Sequence, residues 1–207
     1  MREFLRDGVR LSVAMLATAV LLSGCETDFE DNEDQRDDIV SFLESSHVPT
    51  LISESDIKLS LEDNPNFYVE FGDYAYLYID DYYNTERDDM TQISKGSRIS
   101  ITFRLYPFDG DTISDSELPT YTNDPAYEAD YIDAGLNTTY WSFEPLEFTV
   151  GGGNILDSIQ SGLIGCREGD NIEIYMTRNM GYGDDVIGVM EQDCSLAFFC
   201  TIESVEN

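Results

Sequence analysis

Ile99, Ile101, Phe103 and Leu105 alternate with Ser100, Thr102 and Arg104. Successive side chains of a strand point to opposite faces, so this stretch has to lay one face on a core. The same period returns at Ile172, Ile174 and Met176, and again at Leu196, Phe198, Cys200 and Ile202. Between the first and the later strands, Ile155, Leu156, Ile159 and Leu163 carry the spacing of a two-turn helix, with Gly165 and Gly169 bracketing its exit. Pro145 to Val150 reads as one more short strand, closed by Gly151-Gly152-Gly153, and Asp109-Gly110 marks a turn. A single short helix with strands on both sides predicts an α+β fold: a curved antiparallel β-sheet wrapped around one short α-helix.

Upstream, Ile39, Phe42 and Leu43 have the i, i+3, i+4 spacing of a short amphipathic helix, which Pro49 would end. Asn66 to Ile79, rich in Phe, Tyr and Val around Gly72-Asp73, reads as a β-hairpin. Its tyrosines (Tyr68, Tyr74, Tyr76 and Tyr78) suit half-buried strand packing, with a carbohydrate platform as the alternative. Residues 80–96 form a charged loop, and 114–142 form a polar excursion holding the sole tryptophan, Trp141. The expected divisions are a leader at 1–24, an acidic tether at 25–38, a helix and linker at 39–64, and one domain at 65–207.

The leader has three parts. Arg2, Arg6 and Arg10 are followed by the apolar run Leu11 to Leu22, too short to span a bilayer as a helix, and then by Leu22-Ser23-Gly24-Cys25. That last segment resembles the lipobox of bacterial lipoproteins. The resemblance implies cleavage before Cys25 and lipidation of its sulfur, with several acyl chains giving a stable membrane anchor. Glu26 to Asp38 is dominated by Asp and Glu, and its composition predicts disorder. Acidic residues directly after the lipid cysteine also resemble the surface-export signal of Bacteroidetes lipoproteins. The expected location is the outer membrane, on its periplasmic or its surface face.

Removing the leader's three Arg, Glu3 and Asp7 takes the net charge from −31 to −32. A chain so acidic repels phosphates, which excludes nucleic acid as a partner. Cys166, Cys194 and Cys200 are an odd count, so they form no closed disulfide framework. They read as small buried apolar residues. His47 is the only histidine and has no cysteine pair to complete a zinc site. Asp109, Asp111 and Asp115 lack the glycine and terminal Glu of a calcium loop. No nucleophile elbow and no phosphate loop occurs. The chain is expected to need no metal and no cofactor.

The order of elements over 97–206 resembles the FKBP-type peptidyl-prolyl isomerase domain. The resemblance runs through Gly96-Ser97, Ile99-x-Ile101-x-Phe103 and Asp109-Gly110, then Pro145-Leu146-Glu147-Phe148-x-Val150-Gly151. It continues through Ile155-Leu156-x-x-Ile159-x-x-Gly162-Leu163, Arg167-Glu168-Gly169-Asp170, Gly181-Tyr182-Gly183 and Leu196-Ala197-Phe198. It implies noncovalent catalysis on a proline-containing polypeptide. Tyr182, Phe103 and Phe198 then stand at catalytic positions: a hydroxyl donor, a first-strand aromatic and a wall on the last strand. Ile113 and Leu146 fall at pocket aromatics, Ile155 and Leu156 at the pair opening the helix, and Ile159 at the floor, where the family carries Trp. The backbone N–H of Leu156 is implied to bind a substrate carbonyl. The loop Asp184 to Ile187 lacks the usual rim residues, and the 114–142 insertion stands beside the site.

Two functions follow as expectations. One is a monomeric prolyl-isomerase-like lipoprotein acting on exported or envelope proteins. The alternative is a catalytically inactive FKBP-like binding module for a protein, peptide or glycan. An open cavity between Phe103, Ile159, Tyr182 and Phe198 favours the first; Trp141 or its neighbours filling that cavity favours the second.

Overall fold

The computed structural model describes residues 32–46, 50–53, 57, 67–114, 116–135, 137, 141–153 and 155–207. The leader, Cys25, His47 and Pro49 lie outside the described residues. The main elements are helices α1 (Asn32–Ser46), α2 (Glu128–Asp133) and α3 (Asp157–Leu163). The strands are β1 (Thr50–Ile52), β2 (Phe67–Phe71), β3 (Ala75–Ile79), β4 (Arg98–Phe108), β5 (Tyr121–Thr122), β6 (Leu146–Thr149), β7 (Asn171–Met176) and β8 (Ser195–Glu206).

All eight strands join one sheet in the order β1-β2-β3-β7-β8-β4-β5, with β6 also on β4. β5 and β6 share one edge of β4, pairing with Arg104–Leu105 and Arg98–Ile101 respectively. The β2–β3 hairpin extends the sheet through β3–β7 pairs such as Leu77 with Ile174. Residues 67–79 therefore belong to the same body as the later strands. The sheet is not purely antiparallel: β1 runs parallel to β2. A parallel pair demands a crossover connection in place of a tight turn, and alternation within single strands carries no information about that.

The expected alternation appears as two separate cores. On the inner face, Ile99, Ile101 and Leu105 of β4, Ile174 of β7, and Leu196 and Phe198 of β8 close on Ile159 and Leu163 of α3. The outer face is covered too. Tyr68, Tyr76, Phe108, Tyr175 and Ala197 pack under Ile39, Phe42 and Leu43 of α1. The Phe42, Phe108 and Tyr175 rings stand 4.9–5.5 Å apart, centre to centre, in edge-on and tilted arrangements. That packing is why β8 buries consecutive residues from Ser195 to Phe198, where a sheet with one wet face would alternate.

The helix α1 also starts earlier than its apolar spacing predicts. Asn32 to Asp38, expected to be part of a disordered tether, is helical. Gln35 explains the extension. Its side chain is buried, donates to Asp193 O at 2.6 Å and accepts Arg178 N–H at 2.8 Å. A polar residue supplies the contact, so hydropathy misses it. Among the cysteines, Cys166 and Cys200 are buried thiols as expected, whereas Cys194 precedes β8 and is part-exposed.

Candidate active site

One cleft of about 250 Å³ opens on the inner side of the sheet, next to the start of α3. Strand pairing supplies one wall, since β4 and β8 run antiparallel and Leu105 faces Phe198 in register. Phe103 and Phe198, both inward-pointing, stack at 5.8 Å with their planes 25° apart. The chain before α3 supplies Ile155 and Leu156, and the first turn of α3 supplies Ile159. Leu146, at the start of β6, is 38% exposed at the rim.

Tyr182 reaches the same cleft from the turn after β7. That turn is fixed on several sides. The Gly181 and Gly183 N–H groups donate to Arg178 O, both at 3.0 Å. Gly181 lies so close to Leu196 that a Cβ would sit 2.9 Å from its Cδ1. The buried Ser158 hydroxyl, on α3, donates to Met180 O. These bonds couple the helix that forms the pocket floor to the turn that carries the phenol. The Tyr182 hydroxyl bonds to no described residue. Burial first, and then neighbouring Tyr121 and Cys194, raise its pKa above the ordinary phenol value, so it stays protonated and able to donate. The Leu156 N–H precedes the helix and also donates to no described residue.

Of the residues predicted from sequence, Phe103, Leu146, Ile155, Leu156, Ile159, Tyr182 and Phe198 line this one cleft. Ile113 does not. It packs against the outer cluster beneath α1. The cause is the path after β4: the turn at Gly110 (φ +90°) abuts Asp38 of α1, and the chain passes on that side before rejoining β4 at Tyr121. Tyr121 takes the place in the cleft that the sequence reading gave to Ile113.

The insertion therefore builds part of the site without closing it. Tyr121 and Trp141 stack at 5.8 Å and both line the cleft. The Trp141 indole N–H donates to Thr122 O at 2.6 Å. Beside them, the buried Asn123 side chain accepts Phe103 N–H at 2.7 Å and donates to Ile101 O at 2.9 Å and Glu144 O at 3.1 Å. This amide locks both ends of the insertion to β4. Tyr121, Trp141, Leu105 and Ile187 were not predicted as site residues. Leu105 was legible as an inward residue of β4 and Trp141 only as a residue that could fill the cavity, while nothing in the local sequence signals Tyr121 or Ile187.

None of the lining residues carries a charge, although the chain as a whole is strongly acidic. The cleft offers an apolar container with one free phenol and one free backbone N–H at its margin. Such a place can hold a small ring and bind carbonyls beside it; it offers no nucleophile and no metal ligands. Among the described residues, no group of three or more His, Cys, Asp or Glu is placed to hold a metal ion.

Comparison with known proteins agrees with this geometry. The family model for FKBP-type peptidyl-prolyl cis-trans isomerases matches residues 90–203. That span runs from the loop before β4 into β8 and includes the insertion; α1, β1, β2 and β3 lie outside it. A search of curated proteins returns no match.

Proposed function

The chain belongs to the FKBP-type peptidyl-prolyl cis-trans isomerase family, and we propose that it turns prolyl peptide bonds in exported polypeptides at the cell envelope. The observation that carries the proposal is the open apolar cleft between Phe103, Ile159, Tyr182 and Phe198. The barrier to rotation is largely lost amide resonance, about 18–20 kcal/mol. A twisted amide separates less charge than a planar one. A dry pocket without charges thus disfavours the planar ground state more than the twisted state, which is the differential binding that catalysis requires.

In this reading the pyrrolidine ring packs against the wall formed by the stacked Phe103 and Phe198 and rests on Ile159. Tyr182 Oη–H and Leu156 N–H donate to carbonyls flanking the proline and hold the chain while the amide rotates. Phe103, Tyr182 and Phe198 are the catalytic residues; Leu146, Ile155, Leu156 and Ile159 bind substrate. No bond is made or broken, and no cofactor is called for.

A lipid on Cys25 would hold the domain at the outer membrane, with only the acidic residues between Cys25 and α1 as a tether. Anchoring of this kind places the isomerase among newly exported chains, and its charge suits basic or neutral clients. A second reading, capture without turnover, draws on Ile159: a smaller floor than the family's Trp grips the ring less tightly.

Protease-coupled isomerisation of a proline-containing chromogenic tetrapeptide separates the two. Catalysis predicts acceleration that falls by roughly tenfold or more in Tyr182→Phe, from loss of one hydrogen bond used in the transition state. A folded protein that leaves the rate at its uncatalysed value, while still binding the peptide, decides for capture.

A further inference from the structure

The segment from Tyr182 to Asp193 is firmly held at its base. The Asp193 N–H donates to Gly183 O at 2.8 Å, and Met190 is 1% exposed within the inner core. Its tip is different. Val186, Ile187 and Val189 are 64%, 39% and 78% exposed, so burial does little to fix them.

Within the tip, the Met190 N–H donates to Ile187 O at 2.9 Å; its bonds to the rest of the cleft come from one side chain. The Tyr121 hydroxyl donates to Ile187 O at 2.6 Å and accepts the Val189 N–H at 3.1 Å. Gly188, between those two residues, has φ +61°, and a Cβ there would lie 2.2 Å from Tyr121 Oη. The position is closed to a side chain both by conformation and by the hydroxyl. The same tyrosine ring lines the cleft and stacks on Trp141, while Ile187 lines it from the loop.

We infer that Tyr121 is a positioning residue, a latch whose hydroxyl ties the 186–189 tip across the cleft and sets its rim before substrate arrives. The inference rests on the isomerase reading of the same pocket and assigns the rim to a residue of the insertion. A rim fixed in advance removes an ordering cost from binding. A loose rim has to be ordered at the substrate's expense. The latch therefore acts on capture of the prolyl segment more than on the rotation step.

Two substitutions open it from opposite sides. Tyr121→Phe keeps the ring and removes the hydroxyl. Gly188→Ala keeps the hydroxyl and forces the loop away from it. Because both break one latch, their effects should not add.

The test uses the full chain and two readouts: amide hydrogen exchange at Val189, and kinetics on the chromogenic tetrapeptide. Each variant is expected to speed Val189 exchange several-fold and up to about tenfold, as loss of one or two modest hydrogen bonds implies. KM rises by a similar factor, kcat changes by less than about twofold, and the double variant matches the singles. Unchanged Val189 exchange in Tyr121→Phe overturns the latch. A loss confined to kcat overturns its role in capture, and additive losses overturn the shared mechanism. Exchange is read without substrate, so a parent protein that accelerates no isomerisation counts against the isomerase reading, while the exchange result still decides the latch.

Discussion

Asp170→Ala should destabilise the fold more than any ordinary surface substitution. Arg87 and Asp170 form a two-pronged ion pair, Nε to Oδ1 at 2.6 Å and Nη2 to Oδ2 at 2.9 Å. Their side chains are only 12% and 3% exposed. Asp170 Oδ2 also accepts Arg167 N–H at 2.7 Å, and the Arg87 guanidinium lies 4.8 Å above the centre of the Tyr82 ring. Removing the carboxylate leaves a cation held in a nearly dry site, together with a backbone N–H that has lost its acceptor. Breaking a buried pair in this way costs about 3–5 kcal/mol. For a chain of this size, each kcal/mol lowers Tm by about 2–4 °C, so the expected fall is on the order of 10 °C. The double replacement Arg87→Met with Asp170→Leu should recover most of that loss, because it removes both charges together. The assay is thermal and urea unfolding of parent, single and double variants at neutral pH. A single variant within about 1 kcal/mol of the parent would refute the claim that this pair fastens the 80–96 loop to the start of β7.

Two further outcomes follow from the packing. Gly162→Ala places a Cβ 2.8 Å from Phe71 Cζ and 3.0 Å from Ile174 Cδ1, where α3 meets the sheet. Urea unfolding should show a loss of about 1–3 kcal/mol despite the better helix former, and a gain in stability would contradict the packing. At high pH the fold should fail cooperatively. Burial pushes the Cys166 thiol up to about 12 from its ordinary 9.0, and it raises Tyr68, Tyr76, Tyr78 and Tyr175 as well. The unfolded chain releases these protons first, so their contribution is whole below about pH 9 and is lost as pH climbs toward the folded values. Tyrosinate absorbance should therefore rise together with unfolding; separate titration of these tyrosines near pH 10 in a folded protein would contradict their burial.

Much of the fold could be read from short-range pattern, and most of the pocket from the resemblance to the FKBP-type family. The period of two in β4 and β8 and the Ile155–Leu163 spacing each report a local fact, namely which face a side chain takes. They put Phe103, Phe198 and Ile159 on core-facing sides, and the resemblance to the FKBP-type family grouped them into one pocket. The misreadings lie where position depends on distant chain. Ile113 was assigned to the cleft by order alone, but the Gly110 turn beside α1 sends it to the outer face. Tyr121 and Trp141 sit in a polar stretch with no period, and they are placed by Asn123, whose partners Ile101 O and Glu144 O exist only once β4 and the end of the insertion have met. Gln35 escaped notice for the same reason: a buried amide leaves no hydrophobic trace.

The most direct test of the central claim is exchange spectroscopy at equilibrium on a proline-containing peptide with a small molar fraction of the protein. The bond isomerises unaided in tens to hundreds of seconds. The account predicts cis–trans exchange fast enough to give cross-peaks in the presence of the parent protein, together with shifts at the Leu156 amide and a marked loss of exchange in Tyr182→Phe. A folded protein that shows the Leu156 shift but leaves the peptide exchanging at its unaided rate would contradict catalysis.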